Sequence, residues 1–412
     1  MDGRVVQFTG VAALAALLTA GCSTASAPQM THQPGSMGSS MSSMTAGTKA
    51  AELRTGLNAL LSEHVILAAS ATGAALGGRD AEFKAAAAAL DANSVDLSKA
   101  IGSVYGQGAE DAFLPLWRRH IGFFVDYTVG VATKDTAKQD KAVNDLIGYT
   151  QDFGAFLSSA NPNLPKAVVA DLVKTHVLTL KDVVDAQAVG DQSRAYTAIR
   201  TAAGHMQMVA DPLAAAIVKQ FPDRFGGSAS SQAATLRVTL NSALREHVLL
   251  AGSATGAALG GRDAEFKAAA AALDANSVDV SKAIGSVYGQ GAEDAFLPLW
   301  RKHIGFFVDY TVGVATKDMA KQDKAVNDLI GYTQDFGAFL SSANPNLPKA
   351  VVADLVKSHV LALKNVVDPQ AAGDAARAYT NLRAAAGHMQ MIADPLAAAI
   401  VKQFPNRYAS LQ

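Results

Sequence analysis

From about residue 50 onward, apolar side chains recur every three or four residues, the period of an α-helix that buries one face. No segment of strand length competes with this pattern, and the high alanine content also favours helix. Glycine pairs, Asn-Pro and single prolines divide the pattern into separate helices. In the first part of the chain the predicted helices cover residues 50–76, 80–105, 109–133, 136–159, 165–190 and 191–220, and a bend is expected near Pro212.

The same pattern then occurs a second time. Four histidines recur 183 residues later, and only 16 of the 160 positions between residues 63 and 222 differ from the second copy. The sequence therefore predicts an all-α protein, a tandem duplication of a helical-bundle domain with about six helices per copy and a four-helix-bundle-like core. The two predicted domains are residues 51–222 and 236–408, and a Gly/Ser linker at residues 223–235 joins them.

The N-terminus has the layout of a secretory signal. Arg4 precedes an apolar stretch over residues 11–18, which is too short to span a membrane, and small residues follow it up to Cys22. Thr19-Ala20-Gly21-Cys22 resembles a bacterial lipoprotein signal, which implies that residues 1–22 are removed or modified as a signal peptide and that Cys22 carries a lipid. The protein is then expected to be exported and anchored in the bacterial cell envelope, on the periplasmic or cell-surface side, rather than to span the membrane. An ordinary signal peptide with an incidental cysteine is the alternative.

Residues 23–50 are rich in Ser, Thr, Gly and Met and are predicted to form a flexible tether, because they contain few bulky apolar residues other than methionine. Thioether sulfur is a soft ligand that selects copper(I), and a mobile segment can gather several thioethers around one ion. A tether that merely tolerates methionine is the alternative. The candidate copper ligands in this segment are Met30, His32, Met37, Met41 and Met44.

The histidines of each copy lie on apolar faces of predicted helices. The residues one and two turns from His120, for example, include Phe113, Trp117 and Phe124. Each histidine also lies near the middle of its helix, so four imidazoles are expected to point into the bundle interior at one level. For any one of them, a core histidine bonded to a backbone group is the alternative, but a shared metal ion would partner several at once. The predicted metal ligands are His64, His120, His176 and His205 in the first copy and His247, His303, His359 and His388 in the second.

The neighbours of these histidines indicate which metal is bound. Met208 is expected on the same helix face as His205, and Met391 occupies the equivalent position in the second copy. A thioether beside imidazoles suits copper better than zinc or iron, and the Glu-x-x-His pattern of di-iron bundles is missing. Glu63 and its counterpart Glu246 are weaker candidates, because each lies about 100° around the helix from the following histidine. Each is expected to be a rim ligand, a partner of the imidazole or a solvated flanking charge. Met206 is expected to be a packing residue.

Composition excludes several classes of function. The net charge is −1 and no cluster of Arg or Lys occurs, which argues against nucleic acid as a partner. A single cysteine excludes an intramolecular disulfide, a cysteine-based zinc site and an iron–sulfur cluster. We find no nucleophile motif, phosphate-binding motif or pair of catalytic carboxylates, so the protein is not expected to be an enzyme.

The sequence thus predicts an exported, membrane-tethered protein that holds one metal ion per repeat, with copper favoured, for buffering, storage or detoxification. Two alternatives remain. One is a bundle that binds haem non-covalently through two histidines, or through His205 and Met208, or that binds another transition metal. The other is a structural or adhesion module that binds no metal.

Overall fold

The computed structural model describes residues 46–408, and every regular element in that range is a helix. The predicted all-α fold is confirmed, and the helices of the first repeat begin and end within two residues of the predicted positions. That repeat contains α1 (Lys49–Leu76), α2 (Asp80–Tyr105), α3 (Gln107–Ala132), α4 (Thr136–Ala160), α5 (Lys166–Ala188) and α6 (Gln192–Gln220). The second repeat contains α7 (Gln232–Leu259), α8 (Asp263–Tyr288), α9 (Gln290–Ala315), α10 (Met319–Ala343), α11 (Lys349–Ala371), α12 (Ala375–His388), α13 (Gln390–Gln403) and α14 (Pro405–Tyr408).

The helix ends follow from local chemistry. The Thr48 hydroxyl accepts a hydrogen bond from the Ala51 amide at the start of α1, and Asp135 and Asp191 accept equivalent bonds at the starts of α4 and α6. A single residue, Gly106, separates α2 from α3. Its φ of 89° lies in the region that favours glycine, so the chain can reverse there without a longer loop.

Within each repeat six helical segments close into a ring, and in the second repeat α12 and α13 together form the sixth segment. Each helix packs against the next one in sequence, and the last helix returns to pack against the first. Alternate helices α1, α3 and α5 also contact one another across the centre of the ring. Residues near the middle of these three helices therefore lie close together at one height in the interior.

The two repeats differ in their last long helix. In the first repeat α6 continues through Pro212, whereas in the second repeat the corresponding helix is interrupted at Met389 and divides into α12 and α13. The interruption lies six residues before Pro395, so the proline itself is not the break point. Helix α6 is continuous through Pro212, and the bend predicted there stays a prediction.

The repeats pack tightly against each other. Helix α1 lies against α7, α6 against α8 and α2 against α12, and one continuous hydrophobic core extends through both repeats. The segment that precedes each repeat contacts the other repeat. Arg54 of the first repeat donates to the carbonyl of Ala229, which precedes the second repeat, at 2.9 Å, and Arg237 of the second repeat donates to the carbonyl of Ala46, which precedes the first, at 2.9 Å.

These contacts correct the predicted ends of the tether and linker. Residues 46–50 were expected in the tether, but Ala46 and Ala50 are buried and α1 begins at Lys49. Helix α7 begins at Gln232, inside the linker predicted at residues 223–235. The predicted signal peptide and the rest of the tether, residues 1–45, lie outside the described residues. Among the described helices, α1 has the length and composition to cross a membrane, but half of its most apolar window is buried inside the fold.

Candidate metal centre

Three of the four predicted histidines of each repeat meet at the centre of the helical ring. In the first repeat His64 comes from α1, His120 from α3 and His176 from α5, and one ring nitrogen of each lies within 4.8 Å of the others. The Nε2 atoms of His64 and His120 are 3.3 Å apart. In the second repeat His247, His303 and His359 form the same arrangement, with a matching 3.3 Å distance between His247 and His303.

These imidazoles lack the partners that buried polar groups normally have. His64, His120 and His176 are between 1% and 3% exposed. The Nδ1 atoms of His64 and His120 and both ring nitrogens of His176 have no hydrogen-bond partner in the structure. Because an unpartnered buried polar atom costs free energy, such a cluster is expected to have a ligand that takes the free lone pairs. A metal ion bound by one nitrogen of each imidazole would take the lone pairs that converge at the centre of the triad, where the Nε2 atoms of His64 and His120 meet.

Burial also keeps the imidazoles in the form that binds metals. Loss of solvent and, to a smaller extent, the neighbouring imidazoles lower the pKa of His120 and of His176 to about 3. The pKa of His64 is well below its usual value for the same reasons. All three residues are therefore neutral at pH 7, with lone pairs available for coordination.

The surroundings of each triad are aromatic and apolar. The Trp117 ring packs 4.9 Å from His64 and 4.5 Å from His120, and the Tyr149 ring stacks on His120 at 5.0 Å. A cavity of about 30 Å³ lies beside the triad, which is enough for one water-sized ligand. A porphyrin is far larger than this space, so haem, the alternative ligand, does not fit in the cavity.

The fourth histidine of each repeat does not join the triad. His205 is partly exposed on α6, and its Nε2 donates to the Leu172 carbonyl of α5 at 3.0 Å. His388 is partly exposed at the equivalent position. The expectation that four imidazoles converge is wrong for these two residues. Helix α6 packs against α1 and α5, and His205 contacts the backbone of α5 instead of reaching the centre of the ring.

Of the two methionines next to His205, the predicted ligand Met208 does not reach the triad, whereas Met206 packs in the core as predicted. Met208 is 59% exposed and Met391 is 57% exposed, so neither thioether reaches a triad. Met206 is 2% exposed and lines the small cavity together with His120 and His176, and Met389 lines the equivalent cavity. A sequence signal for Met206 existed: it continues the series of buried residues Ile199, Ala202, Met206, Ala210 and Leu213 at helical spacing.

Glu63 is neither a member of the triad nor a solvated flank. It is 2% exposed and accepts hydrogen bonds from Asn93 at 2.8 Å and from Arg383 of the other repeat at 3.1 Å. Its counterpart Glu246 accepts from Asn276 at 2.7 Å and from Arg200 at 2.9 Å. The glutamates therefore link the repeats at the position next to each triad, through partners that the sequence does not predict.

The structure thus contains, among the residues it describes, two buried histidine triads that could each hold a metal ion, in a duplicated all-helical bundle. The predicted ligands Met30, His32, Met37, Met41 and Met44 and the predicted lipidation site Cys22 lie outside the described residues. No protein-family model, curated protein or solved structure matches the chain.

Proposed function

We propose that each triad binds one copper ion as Cu(I), and that the protein buffers, stores or detoxifies copper in the bacterial cell envelope. The observation that carries this proposal is the convergence of three buried imidazoles whose ring nitrogens have no hydrogen-bond partner outside the triad. The site is an enclosed cluster inside a helical ring, an arrangement suited to holding an ion rather than to admitting a substrate.

Charge supports a monovalent ion. The donor group consists of three neutral imidazoles, and the adjacent Glu63 carboxylate is bonded to Asn93 and Arg383 instead. An ion in this site would therefore keep its full charge in apolar surroundings. The cost of burying a charge grows with its square, so Cu(I) is favoured over divalent ions such as Zn²⁺.

Donor type supports copper independently. Imidazole and thioether are ligands that suit Cu(I), and the buried thioether of Met206 lines the cavity next to His120 and His176. The methionine-rich segment before residue 46 offers further thioethers. We infer that this segment captures or hands over Cu(I) near a membrane to which Cys22 is attached.

Titration with Cu(I) against a competing chromophoric chelator tests the proposal. A chain lacking residues 1–45 is expected to bind about two ions, because each repeat retains its own triad. The variant His64→Leu/His120→Leu/His176→Leu is expected to bind one ion fewer. The matched control His205→Gln/Met208→Leu changes a nearby histidine and methionine and is expected to bind two ions. Equal stoichiometry for the parent and the triple variant would reject the site.

A module without a ligand is the remaining alternative, and thermal unfolding separates it from metal binding. A ligand that binds only the native state raises the melting temperature, whereas a ligand-free structural module does not respond. Addition of Cu(I) is therefore expected to raise the melting temperature of the parent chain and to raise that of the triple variant less.

A further inference from the structure

A much larger cavity lies between the two repeats. Its volume is about 480 Å³, compared with about 30 Å³ beside each triad. The walls come from the second half of α1, the start of α2 and the start of α6, together with the equivalent parts of α7, α8 and α12. Protein interiors are normally close-packed, and 480 Å³ falls within the range of small-molecule sites.

Four of the five charged residues on the wall neutralise one another, and the fifth, Asp80, is exposed at the start of α2. Arg79 is 2.7 Å from Glu82 of its own repeat and 3.9 Å from Glu265 of the other. Arg262 is 2.7 Å from Glu265 and 3.6 Å from Glu82. These two arginines and two glutamates form a closed ring of ion pairs across the interface. A ligand with a net charge would meet no unpaired countercharge among them.

Most of the remaining wall is apolar or is already hydrogen-bonded within its own repeat. Leu250 and Ile199 contribute aliphatic surface. The Gln187 amide donates to the Ala69 carbonyl at 2.8 Å and accepts from Thr72 at 2.8 Å. The body of a ligand is therefore expected to be apolar.

Two tyrosines provide the hydroxyl groups that face this space. Tyr196 lies beside Ser253 of the other repeat, and Tyr379 lies beside Ser70. Each serine hydroxyl donates to a backbone carbonyl of its own helix, so the phenols are the hydroxyl donors left for a ligand. Burial raises the pKa of both phenols, which therefore keep their protons at neutral pH and can donate hydrogen bonds. Such hydroxyls suit carbonyl, ether or hydroxyl oxygens of a ligand.

We propose that the cavity between the repeats is a binding site for one uncharged, mainly apolar small molecule that carries oxygen acceptors. The site requires both repeats, because each repeat supplies one phenol, one serine, one arginine and one glutamate to the wall. This function is independent of the metal ions in the triads.

Fluorescence titration of the full chain with Prodan tests the proposal, because this dye is neutral, has an apolar naphthalene body and carries one carbonyl acceptor. The parent is expected to bind about one dye per chain with saturation and a blue-shifted emission. The variant Ser70→Phe/Ser253→Phe fills the cavity and is expected to weaken binding at least about tenfold. Any dye bound to residues 1–45 is the same in parent and variant, so it cancels in the comparison.

A second pair of variants keeps the volume of the cavity and changes its hydroxyls. Tyr196→Phe/Tyr379→Phe is expected to weaken Prodan binding about threefold to tenfold through loss of a hydrogen bond. The matched control Tyr105→Phe/Tyr288→Phe removes two phenols outside the cavity and is expected to leave binding unchanged. These substitutions keep the ring, so they test the proposal even where the Phe-for-Ser variant does not fold.

Three outcomes would overturn the proposal. The first is absence of saturable Prodan binding to the parent. The second is an unchanged dissociation constant in Tyr196→Phe/Tyr379→Phe. The third is equally tight binding of the sulfonated dye 1-anilinonaphthalene-8-sulfonate in competition with Prodan, which would contradict the uncharged class of ligand.

Discussion

The two repeats have the same triad but differ in the charges beside it. The His64–His120 and His247–His303 nitrogen distances are both 3.3 Å, and the tryptophan and tyrosine packing around them is also matched. The glutamates next to the triads differ. Glu63 lies near both Arg383 and Arg245, whereas Glu246 is paired with Arg200.

One substitution accounts for this difference. Residue 245 is arginine, and the equivalent residue of the first repeat is Ser62, so only one of the two glutamates receives a second cation. Accordingly, the Glu63 side chain is 2% exposed and the Glu246 side chain is 20% exposed. The comparison indicates that packing within a repeat sets the geometry of the triad, while the other repeat sets the electrostatics beside it.

The largest effect is expected from acid, acting on both triads together. In the metal-free protein the buried histidines stay neutral until the pH approaches their lowered pKa values, about 3 for His120 and His303 and about 4 for His359. Unfolded histidines take up protons below about pH 6.5. The unfolded state therefore binds more protons below pH 6.5, and the stability, which is complete above that pH, falls as the pH decreases toward 3. Each such histidine contributes up to about 1.4 kcal/mol per pH unit.

Urea unfolding at pH 7.5, 6.0 and 5.0, followed by circular dichroism, measures this dependence. The variant His64→Leu/His120→Leu/His176→Leu keeps one triad and is expected to lose about half of the histidine contribution to the slope. Equal slopes of stability against pH in the parent and the variant would show that the triads do not cause the pH dependence. A loss clearly different from half of the histidine contribution would show that the two triads contribute unequally, although their geometry is the same.

A smaller effect is expected from breaking the links between the repeats one at a time. Arg383→Ala leaves the fully buried Glu63 with Asn93 and the more distant Arg245, and is expected to destabilise the protein by about 3 kcal/mol. Arg200→Ala leaves the better-solvated Glu246 with Asn276 and is expected to cost about 1–2 kcal/mol. Urea unfolding of the two variants side by side makes each the control for the other. Equal losses would mean that the burial of Glu63 has no energetic consequence.

The sequence contained enough information for the helices and for three histidines per repeat, for identifiable physical reasons. Helices end at Gly77, Gly106 and Asn161, and each of these residues begins or belongs to a Gly or Asn-Pro signal that the sequence shows, so the boundaries were predictable. His120 lies between bulky core residues such as Phe113 and Trp117, so its inward orientation was clear.

Other parts of the site were not predictable from one sequence. Around His205 the neighbours are small or mixed in polarity, and alanines cover more than one face of α6, so the sequence did not show that the face of His205 and Met208 points away from the triad. The pairing of Glu63 with Arg383 joins residues 320 positions apart, and nothing in local spacing indicates such a contact.

The smallest effect is expected from Arg245→Ser, which gives the second repeat the residue of the first. The Arg245 guanidinium is 3.7 Å from Glu63, a weaker contact than the one made by Arg383, and burial lowers the pKa of Arg245, which shows that its charge is poorly solvated. The lost attraction and the relieved desolvation oppose each other, so we expect a change within about 1 kcal/mol. Urea unfolding in low and high salt measures this change in stability. The control is Lys302→Arg, which also gives the second repeat the residue of the first but at an exposed position. A loss as large as that of Arg383→Ala would show that Arg245, rather than the shared arginine, dominates the link, and that the repeats are less symmetric than their triads.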